Sequence, residues 1–231
     1  LPENTFDLIL SDPPYGSGAD NWSGKDARFR SSTPHSYSDS KDEALAIYQS
    51  IILEGFRVTK LKANLFLFCS FEHFEILIKM CQAGGWNPWK RPIIWNKTTT
   101  GVAIWGAKGF SYQYECILFC TKGEKGLLQA TPDVLSFPRT KESGHGAEKP
   151  VPLYNVLIRA STLPGSAILD PCCGSGTIFS AANETQCIAT GIELDSIYVE
   201  TARQRMAEEQ KQGSMDFSPG GLPKFLMGEG P

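Results

Sequence analysis

The chain has 231 residues, 41% of them hydrophobic and 20% charged, with a formal net charge of −3. That length and mix suit one ordinary globular α/β domain and exclude a low-complexity or disordered chain. No apolar run approaches the roughly 20 residues that cross a bilayer, nothing resembles a signal peptide, and the overall acidity excludes a uniformly basic nucleic-acid binder.

In chain order, the first element is the apolar run 6–11 (FDLILS), which reads as a short buried strand and ends in Asp12-Pro13-Pro14-Tyr15-Gly16. The stretch 16–43 follows as a long loop rich in Ser, Gly and charge, with Trp22, Phe29, His35 and Tyr37. Ala44 to Val58 places Leu45, Tyr48, Ile51, Ile52, Gly55 and Phe56 on one helical face. A strand over 63–69, a helix from Glu72 to Ala83 and a strand over 91–96 come next. Beyond them lie a loop over 97–113, a strand over 115–121 and a loop over 122–149. A helix from Val151 to Ala160, a strand over 166–170, a helix starting near Thr177, a strand over 187–192 and a helix from Asp195 to Lys211 complete the series. The expected fold is a Rossmann-like α/β sheet, mostly parallel, with helices on both faces. Residues 1–211 are expected to form the domain, with inserts at 16–43, 97–113 and 122–149, and residues 212–231 a poorly ordered tail.

Seven cysteines (Cys69, Cys81, Cys116, Cys120, Cys172, Cys173 and Cys187) show no CxxC spacing and read as reduced core thiols, with no metal site expected. The adjacent Cys172 and Cys173 are expected to be small, close-packing turn residues. Between Lys90 and Lys149 nine Lys/Arg stand against five Asp/Glu, a local surplus of +4 that suits a phosphate-facing surface. Trp86, Trp89 and Trp95 are expected in core or interface packing rather than as stacking platforms. The chain opens at Leu1, almost inside a strand, and a further N-terminal segment is expected in the natural protein.

Two strand ends carry the chemistry. After the strand ending at Asp170, Pro171-Cys172-Cys173-Gly174-Ser175-Gly176-Thr177 forms a glycine turn leading into a helix, where backbone can approach a ligand and free N–H groups are available. The next strand ends in Gly191-Ile192-Glu193, placing an acid where a ribose diol would be gripped. Phe179 occupies the position of the third glycine of a dinucleotide fingerprint, so an adenosine cofactor lacking phosphates fits better than NAD. If the strands ending at Asp12 and Asp170 are neighbours at the switch point of the sheet, acid and cofactor share one cleft.

These residues resemble the S-adenosylmethionine-dependent DNA amino-methyltransferases of the DPPY type, in the permuted order called the β group. The resemblance is carried by DPPYG (12–16), EGFRVTK (54–60), IIWNK (93–97), YECILFCTKG (114–123), HGAEKP (145–150), LDPCCGSGT (169–177) and GIELDSIYVETARQR (191–205). It implies the methyltransferase sheet with one antiparallel strand, and S-adenosyl-L-methionine as cofactor. Asp12, Pro13, Pro14 and Tyr15 would be catalytic, activating the exocyclic amine of a flipped base. Asp12, His145, Lys149, Asp170, Gly174, Ser175, Gly176, Thr177 and Glu193 would contact the cofactor. Gly146 stands where the family usually has proline. The resemblance further implies double-stranded DNA as partner and a bacterial or phage-infected cytoplasm, and admits a homodimer, a missing N-terminal domain and a partner nuclease. Asp at position 12 favours adenine N6. Cytosine N4 stays open, as does a non-catalytic DNA- or nucleotide-binding module that keeps the fold.

Overall fold

The computed structural model describes residues 1–16, 40–98, 110, 112–140, 148–211 and 224–227. The aromatic residues of the 16–43 insert, most of 97–113 and His145 lie outside them.

Among the described residues, nine strands form one sheet. They are β1 (Phe6–Ser11), β2 (Thr59–Cys69), β3 (Asn87–Pro88), β4 (Ile93–Asn96), β5 (Tyr114–Lys122), β6 (Val134–Ser136), β7 (Ala167–Asp170), β8 (Ile188–Glu193) and β9 (Lys224–Met227). Their order is β6-β4-β5-β2-β1-β7-β8-β9, with β3 paired to β5. β1 is parallel to both β2 and β7, β7 to β8 and β8 to β9. β5 is antiparallel to β2, β3 and β4, so it is the single reversed strand of a Rossmann-like sheet. The strand order reverses direction between β1 and β7, which lie side by side through Leu8 opposite Ile168 and Ile9 opposite Leu169.

Alternation along the central strands feeds two cores. Leu8, Leu10, Phe66, Phe68, Ile117 and Phe119 face one layer, which contains helices α3 (Val151–Ser161) and α4 (Thr177–Glu184) and Ala202 of α5 (Ser196–Lys211). Ile9, Leu65, Leu67, Cys69, Cys116, Leu118 and Cys120 face the other, formed by α1 (Lys41–Val58) and α2 (Phe74–Ala83). Period-two alternation with both faces covered explains why these strands read as continuous apolar runs. Helix α1 starts at Ser40, whose Oγ accepts the Glu43 N–H at 3.3 Å, a capping arrangement with an acid at the third position.

Lys224–Met227, within the stretch 212–231, pair with β8 as β9. One expectation is corrected: the cationic surplus of 90–149 is not wholly surface charge, because Lys97, Lys122 and Lys149 are buried, their chains drawn inward by carboxylate or carbonyl partners. Trp86 and Trp95 are core residues as expected, whereas Trp89, directly after the two-residue strand β3, is 61% exposed. All seven cysteines are free thiols; a Cβ built on Gly191 would lie 2.7 Å from the Cys173 sulfur, so Cys173 packs tightly against β8.

Candidate active site

The carboxyl ends of β1 and β7 bring the two predicted motifs together. Ser11 Oγ, at the last position of β1, donates to Asp170 Oδ1 at 2.8 Å, and the Cys172 N–H donates to the same oxygen at 3.1 Å. Asp170 therefore fastens the glycine turn to β1 rather than capping α4, whose N-cap is Gly176 with no side-chain bond. Burial lifts the Asp170 carboxyl to about 7, against the pull of those two donors.

Asp12 follows directly. Its Oδ1 accepts the Tyr15 hydroxyl at 2.9 Å, and its Oδ2 is ion-paired and hydrogen-bonded to Lys149 Nζ. The Tyr15 hydroxyl also lies 2.9 Å from Glu115 Oε2 on β5. Lys149 Nζ stands 3.3 Å from that oxygen, and Lys97 Nζ pairs with Glu115 Oε1 at 2.6 Å. Two buried cations and two carboxylates are thus interleaved beneath the DPPY turn. Burial raises the Asp12 pKa; Lys149 pulls it down and the Glu115 charge pushes it up. Burial also opposes ionisation of Glu115, but Lys149 and Lys97 outweigh it and hold that carboxyl at about 2. Burial works against the Lys149 ammonium as well, yet Asp12 and Glu115 keep its pKa above the ordinary lysine value.

The ring faces of Tyr15, Phe68 and Trp95 surround Lys149 Nζ at 5.7, 5.2 and 5.9 Å from their centroids, distances at which a cation is attracted to the aromatic quadrupole. His73, in the 3₁₀ turn Phe71–His73, donates from Nε2 to the Tyr15 carbonyl at 2.9 Å; a carbonyl can only accept, so that nitrogen carries the proton. This bond anchors the end of the DPPY turn.

The cofactor motif is built as an acceptor and a cradle. Glu193, ending β8, accepts the Gly174 N–H at 2.8 Å through Oε2, and the Leu194 and Asp195 N–H groups at 2.8 and 2.9 Å through Oε1. A Cβ built on Gly174, at φ +49°, would meet nothing within 4 Å among the described residues, so the turn opens onto space that they leave free. Gly176, at φ +86°, is instead closed in: a Cβ there would lie 2.8 Å from that of Ala202 on α5. Phe179 is buried at the foot of the turn against Gly191, where a third glycine would otherwise leave room. Thr177 Oγ1 donates to the Lys149 carbonyl at 3.4 Å, tying the cofactor turn to Lys149. Arg205 of α5 spans from Glu148 to the Ser175 carbonyl.

Of the site residues read from the sequence, the structure gathers Asp12, Tyr15, Lys149, Asp170, Gly174, Ser175, Gly176, Thr177 and Glu193 around the β1 and β7 ends, with Pro13 and Pro14 between Asp12 and Tyr15. Glu115, Lys97, His73 and the Glu148–Arg205 pair were not read from it. Glu115 and Lys97 each stand inside a quoted motif, which was the available signal, but only the β4–β5 pairing reveals that they meet.

A family profile described as DNA methylase matches residues 6–204. The chain belongs to that family. The methyltransferase is 30% identical to YubD of Escherichia coli (strain K12), a protein described as a methylase, over 212 residues covering 91% of this chain and 86% of that one. Its fold matches TTHA0409 of Thermus thermophilus, complexed with S-adenosyl-L-methionine, at a TM-score of 0.66, with 20% identity over all of this chain and 94% of that one. It also matches PvuII DNA methyltransferase, which is cytosine-N4-specific, at a TM-score of 0.69 with 16% identity over 93% and 86% of the two chains. The family uses S-adenosylmethionine, and the open space at Gly174 beside the Glu193 and Asp170 carboxylates fits a nucleoside carrying an amino-acid arm.

Proposed function

We propose that this methyltransferase moves a methyl group from S-adenosylmethionine to the N6 amine of an adenine flipped out of double-stranded DNA, by direct in-line transfer. The observation that carries the reading is the junction of Asp12 with the glycine turn through the Ser11–Asp170 hydrogen bond. An exocyclic amine is a weak nucleophile because its lone pair is delocalised into the ring. Asp12 and the Pro13 carbonyl are the acceptors that hold its N–H bonds so that the lone pair points at the cofactor, with proline fixing the backbone. The Tyr15 ring supplies a stacking face, and orientation supplies much of the rate. When bound, S-adenosylmethionine supplies the electrophilic methyl group. In this reading Glu193 accepts from the ribose; Gly174, Ser175, Gly176 and Thr177 line the backbone approach to the cofactor, and Lys149, with His145 by resemblance, borders its methionine end. A paired base cannot reach this recess, so flipping must precede transfer, at a cost of a few kcal/mol.

Asp at position 12 supports adenine, since a serine there is more usual with cytosine N4. The fold likeness to a cytosine-N4-specific enzyme keeps that base as the second reading. Nucleoside mass analysis of DNA from a methylation-deficient bacterial host expressing the protein tests both. N6-methyladenine is the expected product. N4-methylcytosine alone would replace the base but not the mechanism, and neither product would refute the reading.

A further inference from the structure

We infer that Glu115 is a positioning residue that draws the Lys149 ammonium away from Asp12 when the substrate amine arrives. The inference rests on the reading of Asp12 as the acceptor of that amine. Without substrate, both Asp12 oxygens are engaged, Oδ1 by the Tyr15 hydroxyl and Oδ2 by Lys149 Nζ. An incoming N–H competes with both of them for the same carboxylate, and a neutral amine competes poorly against an ammonium, because charge-assisted hydrogen bonds are roughly twice as strong as neutral ones.

Glu115 resolves that competition through its placement. Its Oε2 lies 3.3 Å from Lys149 Nζ and 2.9 Å from the Tyr15 hydroxyl, so both partners of Asp12 already stand beside a second carboxylate. The Tyr15 hydroxyl has one proton and two carboxylates at the same distance; it donates to one at a time and turns to Glu115 without moving its oxygen. Lys149 needs only a small rotation of its flexible stem, within the ring faces of Tyr15, Phe68 and Trp95. Glu115 stays fixed during this exchange because its other oxygen is held by the buried Lys97 at 2.6 Å. Replacing Glu115 by a neutral group removes the second carboxylate beside Lys149, which then holds to Asp12 against the amine.

The test compares Glu115→Gln with the wild-type protein in binding two duplexes, with the non-reactive cofactor analogue sinefungin bound. One duplex carries the target adenine, located by mapping methylated positions in host DNA; the other carries purine, lacking the exocyclic amine, at that position. Glu115→Gln is expected to weaken binding of the amine-bearing duplex by about tenfold and to leave binding of the purine duplex and of sinefungin unchanged. Lys97→Met, which loosens Glu115 from its other side, is expected to act in the same selective direction. Equal weakening of both duplexes, or of neither, would overturn the exchange while leaving the role of Asp12 standing. If the wild-type protein itself does not distinguish the two duplexes, the role of Asp12 as amine acceptor fails, and the exchange with it.

Discussion

Two glycines of one turn should respond to the same substitution in opposite ways. Gly174 and Gly176 both have left-handed backbone, at φ +49° and +86°, so alanine at either costs about 1–2 kcal/mol in backbone strain. Their surroundings differ. The added methyl at 174 enters open space, whereas at 176 it would lie 2.8 Å from the Cβ of Ala202 and 3.0 Å from the ring of Phe179. Overpacking of that kind adds about 1–3 kcal/mol. Gly176→Ala is therefore expected to lose about 2–5 kcal/mol of folding stability, and Gly174→Ala only about 1–2 kcal/mol. The open space at Gly174 is where the cofactor is proposed to lie, so Gly174→Ala should lose at least about tenfold in affinity for S-adenosylmethionine, or about 1.4 kcal/mol. Urea unfolding and calorimetric titration of the cofactor measure the two quantities separately. A Gly174→Ala protein that binds S-adenosylmethionine like wild type would refute this placement of the cofactor.

Other expectations follow from the same contacts. Gly191→Ala forces a methyl to 2.7 Å from Cys173 Sγ and from Phe179 Cζ, and should cost about 1–3 kcal/mol in urea unfolding. Glu115, held at about 2, gives stability that is fully present above the ordinary glutamate value of 4.5 and lost as pH falls through about 2. Denaturant titrations between about pH 2 and 6 should show that acid slope in wild type, and a flatter one in Glu115→Gln. Asp170 has the opposite sign: with its pKa raised from 3.8 to about 7, its contribution is present below 3.8 and is lost as pH rises through about 7. Asp170→Asn, which keeps an acceptor for Ser11 and the Cys172 N–H, should remove that alkaline loss when stability is followed from about pH 4 to 8.

Strong local signals made most of the fold legible. β1 has the bounds its apolar run gives, and β5 is one residue longer at each end than its run, because both strands are buried on two faces and end in polar or turn residues. β2 starts at Thr59 rather than at residue 63, since Lys60, Leu61 and Lys62 are exposed and give no apolar pattern. β6 has three residues, of which only Leu135 is buried, and β9 sits among Gly and Pro; neither pattern is long enough to mark a strand without its partner. Asp12, Asp170 and Glu193 were legible because each ends an apolar run just before a turn, which is where a parallel sheet presents its ligands. The Glu115 network was not, because it is assembled by register across the reversed strand. Trp95 stands opposite Glu115, which brings Lys97 within reach of its carboxylate.

The most direct measurement is tritium transfer from labelled S-adenosylmethionine to unmethylated duplex DNA by wild type and Asp12→Ala, with cofactor affinity measured on both. The account predicts label on adenine N6 with wild type, and a loss of transfer in Asp12→Ala while S-adenosylmethionine still binds at reduced affinity. Transfer by Asp12→Ala at the wild-type rate, or wild-type protein that binds the cofactor and transfers nothing, would contradict it.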